Sequence, residues 1–174
     1  MAGAAIAQAL APCPLRGELT WIAAVCAMLP DADVIGLSAG IPYGDLFGHR
    51  GFTHSLFFAD LVAVGVTSLK RNKAHVRDLI RVFICILVAT ASHGLLDALT
   101  NGGLGVAFFA PFDSARYFFP LRPILVSPIG LGAFLSRRGL SVLLSEMIWV
   151  WPPSIAVFLI ARFTRCRGLL SEIQ

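Results

Sequence analysis

Apolar residues run almost unbroken through 19–28, 53–69, 82–99 and 140–161, and the polar and basic residues collect between these runs. The runs show neither the alternation of a half-buried strand nor the polar stripe of a soluble amphipathic helix, so they predict helices buried all round or facing lipid. Leu29-Pro30 closes the first run, because the residue before proline is pushed out of the helical region. Residues 36–51 are glycine-rich, contain Pro42 and read as a loop. Thr53 or Ser55 can cap the next helix, and Thr100-Asn101-Gly102-Gly103 stops the third run with glycine available for a left-handed cap. Residues 106–132 are aromatic-rich and broken by Pro111, Pro120, Pro123 and Pro128, which predicts re-entrant or interfacial segments. The last run is long enough to span a bilayer, with a kink expected at Pro152-Pro153.

Composition turns this pattern into a class. Of 174 residues, 57% are hydrophobic and 14% charged, against about 25% charged in soluble domains, and mean hydropathy is +0.79. The expectation is an all-α, multi-pass membrane helical bundle with short and re-entrant helices. At roughly 20 residues per crossing the length allows a single domain, 1–174. The net charge of +4 comes from 14 basic and 10 acidic residues. The basic residues gather beside apolar runs, at Lys70, Arg71, Lys73, Arg77 and Arg81 and at Arg162, Arg165 and Arg167. That placement reads as cytoplasmic anchoring, not as a nucleic-acid surface. Cys13, Cys26, Cys85 and Cys166 form no C-x-x-C pair and read as packing residues. The amino terminus lacks the basic region of a signal peptide.

Three polar clusters interrupt this apolar background. His93 and Asp97 stand four residues apart in Ser92-His93-Gly94-Leu95-Leu96-Asp97, so on a helix both project from one face, about 6 Å apart. His49-Arg50-Gly51-Phe52-Thr53-His54 adds two imidazoles, and Pro30-Asp31-Ala32-Asp33 adds two carboxylates. Runs 53–69 and 82–99, joined by a short basic connection, predict an antiparallel hairpin. At 1.5 Å per residue His54 lies about 22 Å from the turn and His93 and Asp97 about 16 and 22 Å from Val82, so all three reach the same level. A nitrogen and oxygen donor set without cysteine suits a divalent transition metal, zinc first and manganese or iron next, as one or two ions. His49, His54, His93, Asp97 and Asp33 are the expected ligands. Asp31 and Asp33 are expected as further ligands or the general base of a metal-activated water. Arg50 joins this catalytic set, and Arg50, Arg116 and Arg122 supply guanidinium for an anionic group such as a phosphate. Glu146 could line the same pocket, Asp60 faces either the bundle or a partner, and His75 in the basic connection is excluded.

The motifs Leu29-Pro30-Asp31-Ala32-Asp33, His49-Arg50-Gly51-Phe52-Thr53-His54-Ser55 and Ser92-His93-Gly94-Leu95-Leu96-Asp97-Ala98-Leu99-Thr100 together resemble the bacterial family of LexA-regulated, inner-membrane predicted metal-dependent hydrolases. The likeness spans most of the chain and extends to Phe109-Ala110-Pro111-Phe112-Asp113 with Arg116-Tyr117. It implies a multi-pass protein of the bacterial inner membrane with metal-dependent hydrolase activity. Members begin with a Ser/Thr-His pair just ahead of a glycine- and alanine-rich helix; Met1-Ala-Gly-Ala-Ala starts inside that helix, so an in-frame upstream segment carrying the pair is expected. The partners expected are the lipid bilayer and a lipid-linked or phosphorylated substrate, with no nucleic acid. Two other readings predict different things. A metal or proton transporter would spread polar residues through the bilayer depth, and a non-catalytic scaffold would bind no metal.

Overall fold

The computed structural model describes residues 1–72 and 74–171. Lys73 of the basic connection lies outside the described residues, as do the side chains of Arg165, Cys166 and Arg167. In chain order the helices are α1 (Ala2–Leu10), α2 (Arg16–Cys26), α3 (Val34–Ser38), α4 (Leu56–Lys70), α5 (Val76–Ala98), α6 (Leu131–Phe134), α7 (Arg137–Trp149) and α8 (Trp151–Ser171). Single 3₁₀ turns stand at Cys13–Leu15, Leu29–Asp33 and Phe52–His54. Among the described residues there is no strand, only two isolated bridges, Thr100 with Ile124 and Val106 with Tyr117. The protein is all-helical.

Three stretches, Cys13–Ser38, Val76–Ala98 and Arg137–Thr164, are long and apolar enough to cross a membrane. Their packing places small residues inside and large ones outside. The core is Ala7, Ala11, Leu19, Ala23, Cys26, Ala63, Val82, Cys85, Ile86 and Ala89, while Trp21, Met28, Leu69, Ile148 and Phe163 are exposed. Lipid solvates large side chains as well as a protein core does, so close approach of small residues is what holds helices together in a bilayer. α1 packs on α2, α5 and α8, and α4 pairs with α5 as the predicted hairpin. At Gly3 a Cβ would strike the Ala23 carbonyl of α2.

Several boundaries differ from the sequence pattern, each for a local reason. The first run continues past Pro30 through a 3₁₀ turn into α3, because Pro30 occupies the start of that turn, where its missing N–H has no partner to lose. α3 therefore takes the beginning of the expected 36–51 loop. Pro152 and Pro153 sit in the first turn of α8, after a break at Val150, so they open a helix where a kink within one was expected. The most distinct departure concerns 106–132: no re-entrant helix forms up to the single turn α6. The four prolines leave extended backbone, which is pinned to the end of α5 by Phe119 N–H to Ala98 O (2.9 Å) and Asn101 N–H to Ile124 O (2.9 Å).

Lys70 at the end of α4 pairs with Glu18 at the start of α2. That pair sets the α1–α2 turn beside the α4–α5 connection, with Arg16, Arg71, Arg77 and Arg81 at that end of the bundle and the His/Asp motifs at the other. By the positive-inside rule the basic end is expected in the cytoplasm. In intact cells, on a cysteine-free background, a membrane-impermeant maleimide is expected to label Arg122→Cys and to spare Arg71→Cys; the reverse pattern would invert this orientation.

Candidate metal centre

Three separate stretches of chain converge at the end away from the basic connection. The 3₁₀ turn Leu29–Asp33 brings Asp31 and Asp33, the 3₁₀ turn Phe52–His54 brings His54, and the last turns of α5 bring His93 and Asp97. Ser55 fixes the second turn against α4. Its hydroxyl donates to Phe52 O at 2.7 Å and accepts from Phe58 N–H at 3.0 Å, so it is the cap expected for that helix. Gly94 lets α5 approach this turn, since a Cβ there would stand 2.8 Å from the His54 carbonyl oxygen.

The four donors Asp31, His54, His93 and Asp97 each offer one atom, all within 4.8 Å of one another. His54 Nε2 lies 3.2 Å from Asp97 Oδ2 and 3.7 Å from Asp31 Oδ1; His93 Nε2 lies 3.2 Å from Asp31 Oδ1 and 3.8 Å from Asp97 Oδ2. Close as they are, His54 Nε2, His93 Nε2 and Asp97 Oδ2 are buried without a hydrogen-bond partner. Buried polar atoms left this way carry a desolvation penalty of about 1–3 kcal/mol each. Their convergence on one point is the arrangement a shared cation would relieve.

The opposite nitrogen of each ring is anchored. His93 Nδ1 stands 2.8 Å from Ala27 O, a pairing that requires it to carry the proton and donate. His54 Nδ1 lies 3.2 Å from Asp33 Oδ2 and 3.1 Å from Thr53 Oγ1. Both anchors leave Nε2 as the lone-pair atom facing the cluster, which is how metal-binding histidines are held. Asp33 already holds other groups through both oxygens. Its Oδ1 pairs with His49 Nδ1 at 2.7 Å, and its Oδ2 accepts from Thr53 Oγ1 (2.7 Å) and Arg50 N–H (3.2 Å). A second group, Asp33 with His49 and His54, is also close enough to hold an ion; in it His49 Nδ1 and Asp33 Oδ1 pair with each other.

Burial alone would depress the His54 imidazolium, yet the neighbouring carboxylates of Asp31, Asp33 and Asp97 outweigh this and push its pKa up to about 10. The pocket is thus strongly cation-attracting around a ring that must lose its proton to bind a metal.

The arginines expected to hold an anion are placed otherwise. Arg50 is buried, and its guanidinium grips Asp97 through Nη2 to Oδ1 (3.1 Å) and Nε beside Oδ2 (3.1 Å), while Nη1 donates to Thr100 Oγ1 (3.0 Å) and Gly102 O (2.9 Å). Its side chain is 3% exposed and clamps Asp97. Arg116 straps the loop to the bridge segment, donating to the carbonyls of His49 (3.1 Å), Tyr43 (3.2 Å) and Asp45 (3.2 Å). Arg122 lies over the Phe118 ring at 4.8 Å. Glu146 is half-buried on α7 and close enough to feel the charges of the amino terminus, Asp31, Asp97 and His93. His49 is brought to Asp33 and not into the four-donor set. His75 is the exposed residue ahead of α5, as its exclusion required. Thr53 and Thr100 were read only as helix-boundary residues, and the Ala27 carbonyl had no role in the sequence pattern; both threonines lie inside the motifs, but nothing in their spacing showed which group each would hold.

The model of the YdjM inner membrane protein family matches residues 1–167. The chain belongs to this family. It is also 41% identical over 138 residues to the inner membrane protein YbcI of Escherichia coli (strain K12), an alignment covering 79% of each chain. No solved structure matches it. Family membership and the three candidate spans make this a protein of the inner membrane. The resemblance drawn from the motifs therefore holds for the inner-membrane family, while LexA control and hydrolase activity are not part of what the family's description says.

Proposed function

We propose that this YdjM-family protein is a metal-dependent hydrolase that cleaves a phosphoester, or another ester, at the membrane face. The observation supporting this is the convergence of three buried, unpartnered ligand atoms, His54 Nε2, His93 Nε2 and Asp97 Oδ2, with the rim carboxylate Asp31. A tetrahedral site with bonds of about 2.0–2.1 Å has donor–donor edges of about 3.3–3.4 Å. Four of the six donor–donor separations, 3.2–3.8 Å, bracket that value, all six lie within 4.8 Å, and two imidazoles with two carboxylates suit zinc, with manganese or iron next.

Asp31, His54, His93 and Asp97 would hold a divalent ion, whose chemistry there would be to lower the pKa of a bound water towards neutrality. The protein's own groups hold the site and manage the proton. Asp33 and the Ala27 carbonyl fix the two rings, and Arg50 fixes Asp97. Asp31 has 55% of its side chain exposed whereas His54 has none, so Asp31 is the member of the set placed to exchange a proton with the substrate side. The surrounding loops carry Phe47, Leu104, Phe109, Phe112 and Leu121, all exposed. Such an apolar and aromatic collar sits at the headgroup level of a bilayer and favours a substrate presented from lipid. Metal-loaded protein is expected to hydrolyse a chromogenic phosphodiester and to lose that activity on chelation and in Asp97→Asn. Equal rates with and without metal would refute the reading.

Because the raised pKa of His54 means its proton is held at neutral pH when no metal is bound, metal uptake must release that proton. Affinity should then weaken as pH falls, by about tenfold per unit between roughly pH 6 and 9. Competition against a chromophoric chelator measures this, and a flat profile would contradict it.

A further inference from the structure

At the end of the bundle opposite the His/Asp cluster, a cavity of about 360 Å³ opens between the close of α1, the turn into α2 and the first turns of α5. Arg16 and Arg81 line it together with Cys13, Leu10 and Ile84. Among the described residues neither guanidinium has a carboxylate within ion-pair distance, and the nearby carboxylate of Glu18 is engaged by Lys70. Arg16 Nη2 donates to Cys13 Sγ at 2.9 Å, a weak acceptor. Its Nε is buried with no hydrogen-bond partner. A guanidinium N–H withdrawn from water and given no acceptor is costly, and here it sits in a hollow with a second guanidinium on the wall.

The other wall has a different character. Leu10 and Ile84 are large, apolar and partly exposed, so in a membrane they continue the lipid-facing surface. The hollow is therefore cationic on one side and apolar on the other, at the basic end of a bundle. A planar fork such as guanidinium matches phosphate oxygens through paired hydrogen bonds. Basic pockets between helices on the cytoplasmic side are suited to anionic headgroups.

We propose that this cavity binds the phosphate of an anionic phospholipid, with its acyl chains lying along Leu10 and Ile84. It is a lipid site separate from the metal centre and independent of the hydrolase reading. The two arginines select a net negative headgroup, and the apolar wall distinguishes a lipid from free phosphate.

Cys13 is exposed and lines the cavity, whereas Cys26 and Cys85 are buried, so its alkylation reports occupancy. In a Cys166→Ser background, N-ethylmaleimide should modify Cys13 about tenfold more slowly in nanodiscs containing phosphatidylglycerol than in phosphatidylcholine alone, the factor expected at about nine-tenths occupancy. Arg77→Gln, outside the cavity, should keep that protection, and Arg16→Gln/Arg81→Gln should abolish it, with unreactive Cys26 and Cys85 reporting that the variant is folded. Should the double variant unfold, the single Arg81→Gln, at an exposed position, replaces it with the same expectation. Inorganic phosphate in phosphatidylcholine nanodiscs should give no protection. Equal rates in the two bilayers, protection that survives loss of the arginines, or equal protection by inorganic phosphate would each overturn the lipid assignment.

Discussion

Replacing His54, His93 or Asp97 by alanine is expected to leave purified protein without bound transition metal, while Asp33→Asn and His49→Ala retain it with weakened affinity. The distinction follows from which atoms are free. His54 Nε2, His93 Nε2 and Asp97 Oδ2 are buried without hydrogen-bond partners, whereas both oxygens of Asp33 already hold other groups, His49 on one and Thr53 with the Arg50 N–H on the other. Groups that orient ligands typically contribute 10–100-fold to affinity, so metal persists in those two variants under saturating supply, and the direct-ligand variants fall below that range. Elemental analysis of detergent-purified protein after dialysis against trace metal measures this. An empty His49→Ala beside a loaded His93→Ala would reverse the assignment of the two shells.

Arg50→Ala should be the most destabilising single substitution around the site, at about 3 kcal/mol, because it removes the guanidinium clamp from the mostly buried Asp97 carboxylate and leaves only the His54 imidazolium beside it. Arg50 adopts φ 62°, a left-handed conformation that a non-glycine residue enters only when its surroundings hold it there. What holds it is the grip on Asp97, Thr100 and Gly102 together with its N–H on Asp33. Gly103, itself at φ 88°, completes the fit, since a Cβ there would come 2.9 Å from Arg50 Nη1. Lysine at position 50 keeps the charge but not the fork, so Arg50→Lys should recover only part of the loss. Chemical denaturation of metal-free protein in detergent measures both, and a loss below about 1 kcal/mol in Arg50→Ala would show that Asp97 does not depend on this contact.

The sequence showed which residues meet better than it showed what each one does. The four-residue spacing of His93 and Asp97 and the hairpin arithmetic for His54 placed three candidate ligands at one level, and the three side chains do meet there. Asp33 was read among the ligands and both aspartates as further ligands or the base, yet it is Asp31 that stands in the four-donor group, on the rim, while Asp33 is tied into the loop. That separation depends on a 3₁₀ turn and on a single left-handed residue, and hydrophobic periodicity encodes neither. The role of Arg50 was hidden for the same reason, because an arginine in an anion site and one clamping a carboxylate look alike in one dimension. In 106–132 the prolines correctly forbade long helices. The pairing of Val106 with Tyr117 and of Thr100 with Ile124, however, is set by contact with the end of α5, not by any local alternation.

The shortness of α4 bears on how the bilayer meets this protein. Its 15 residues rise about 22 Å, against a hydrocarbon thickness of about 30 Å. His54 stands at its beginning and Lys70 at its end. With Lys70 at one water boundary, a flat membrane would leave the His54 end of the helix about 8 Å short of the other. Hydrophobic mismatch of this size is accommodated by local thinning and by tilting, so the leaflet above the His/Asp cluster is expected to dimple towards it. Headgroups and water would then descend to the metal centre on that flank, bringing ester bonds to the carboxylate of Asp31 without any lipid leaving the membrane.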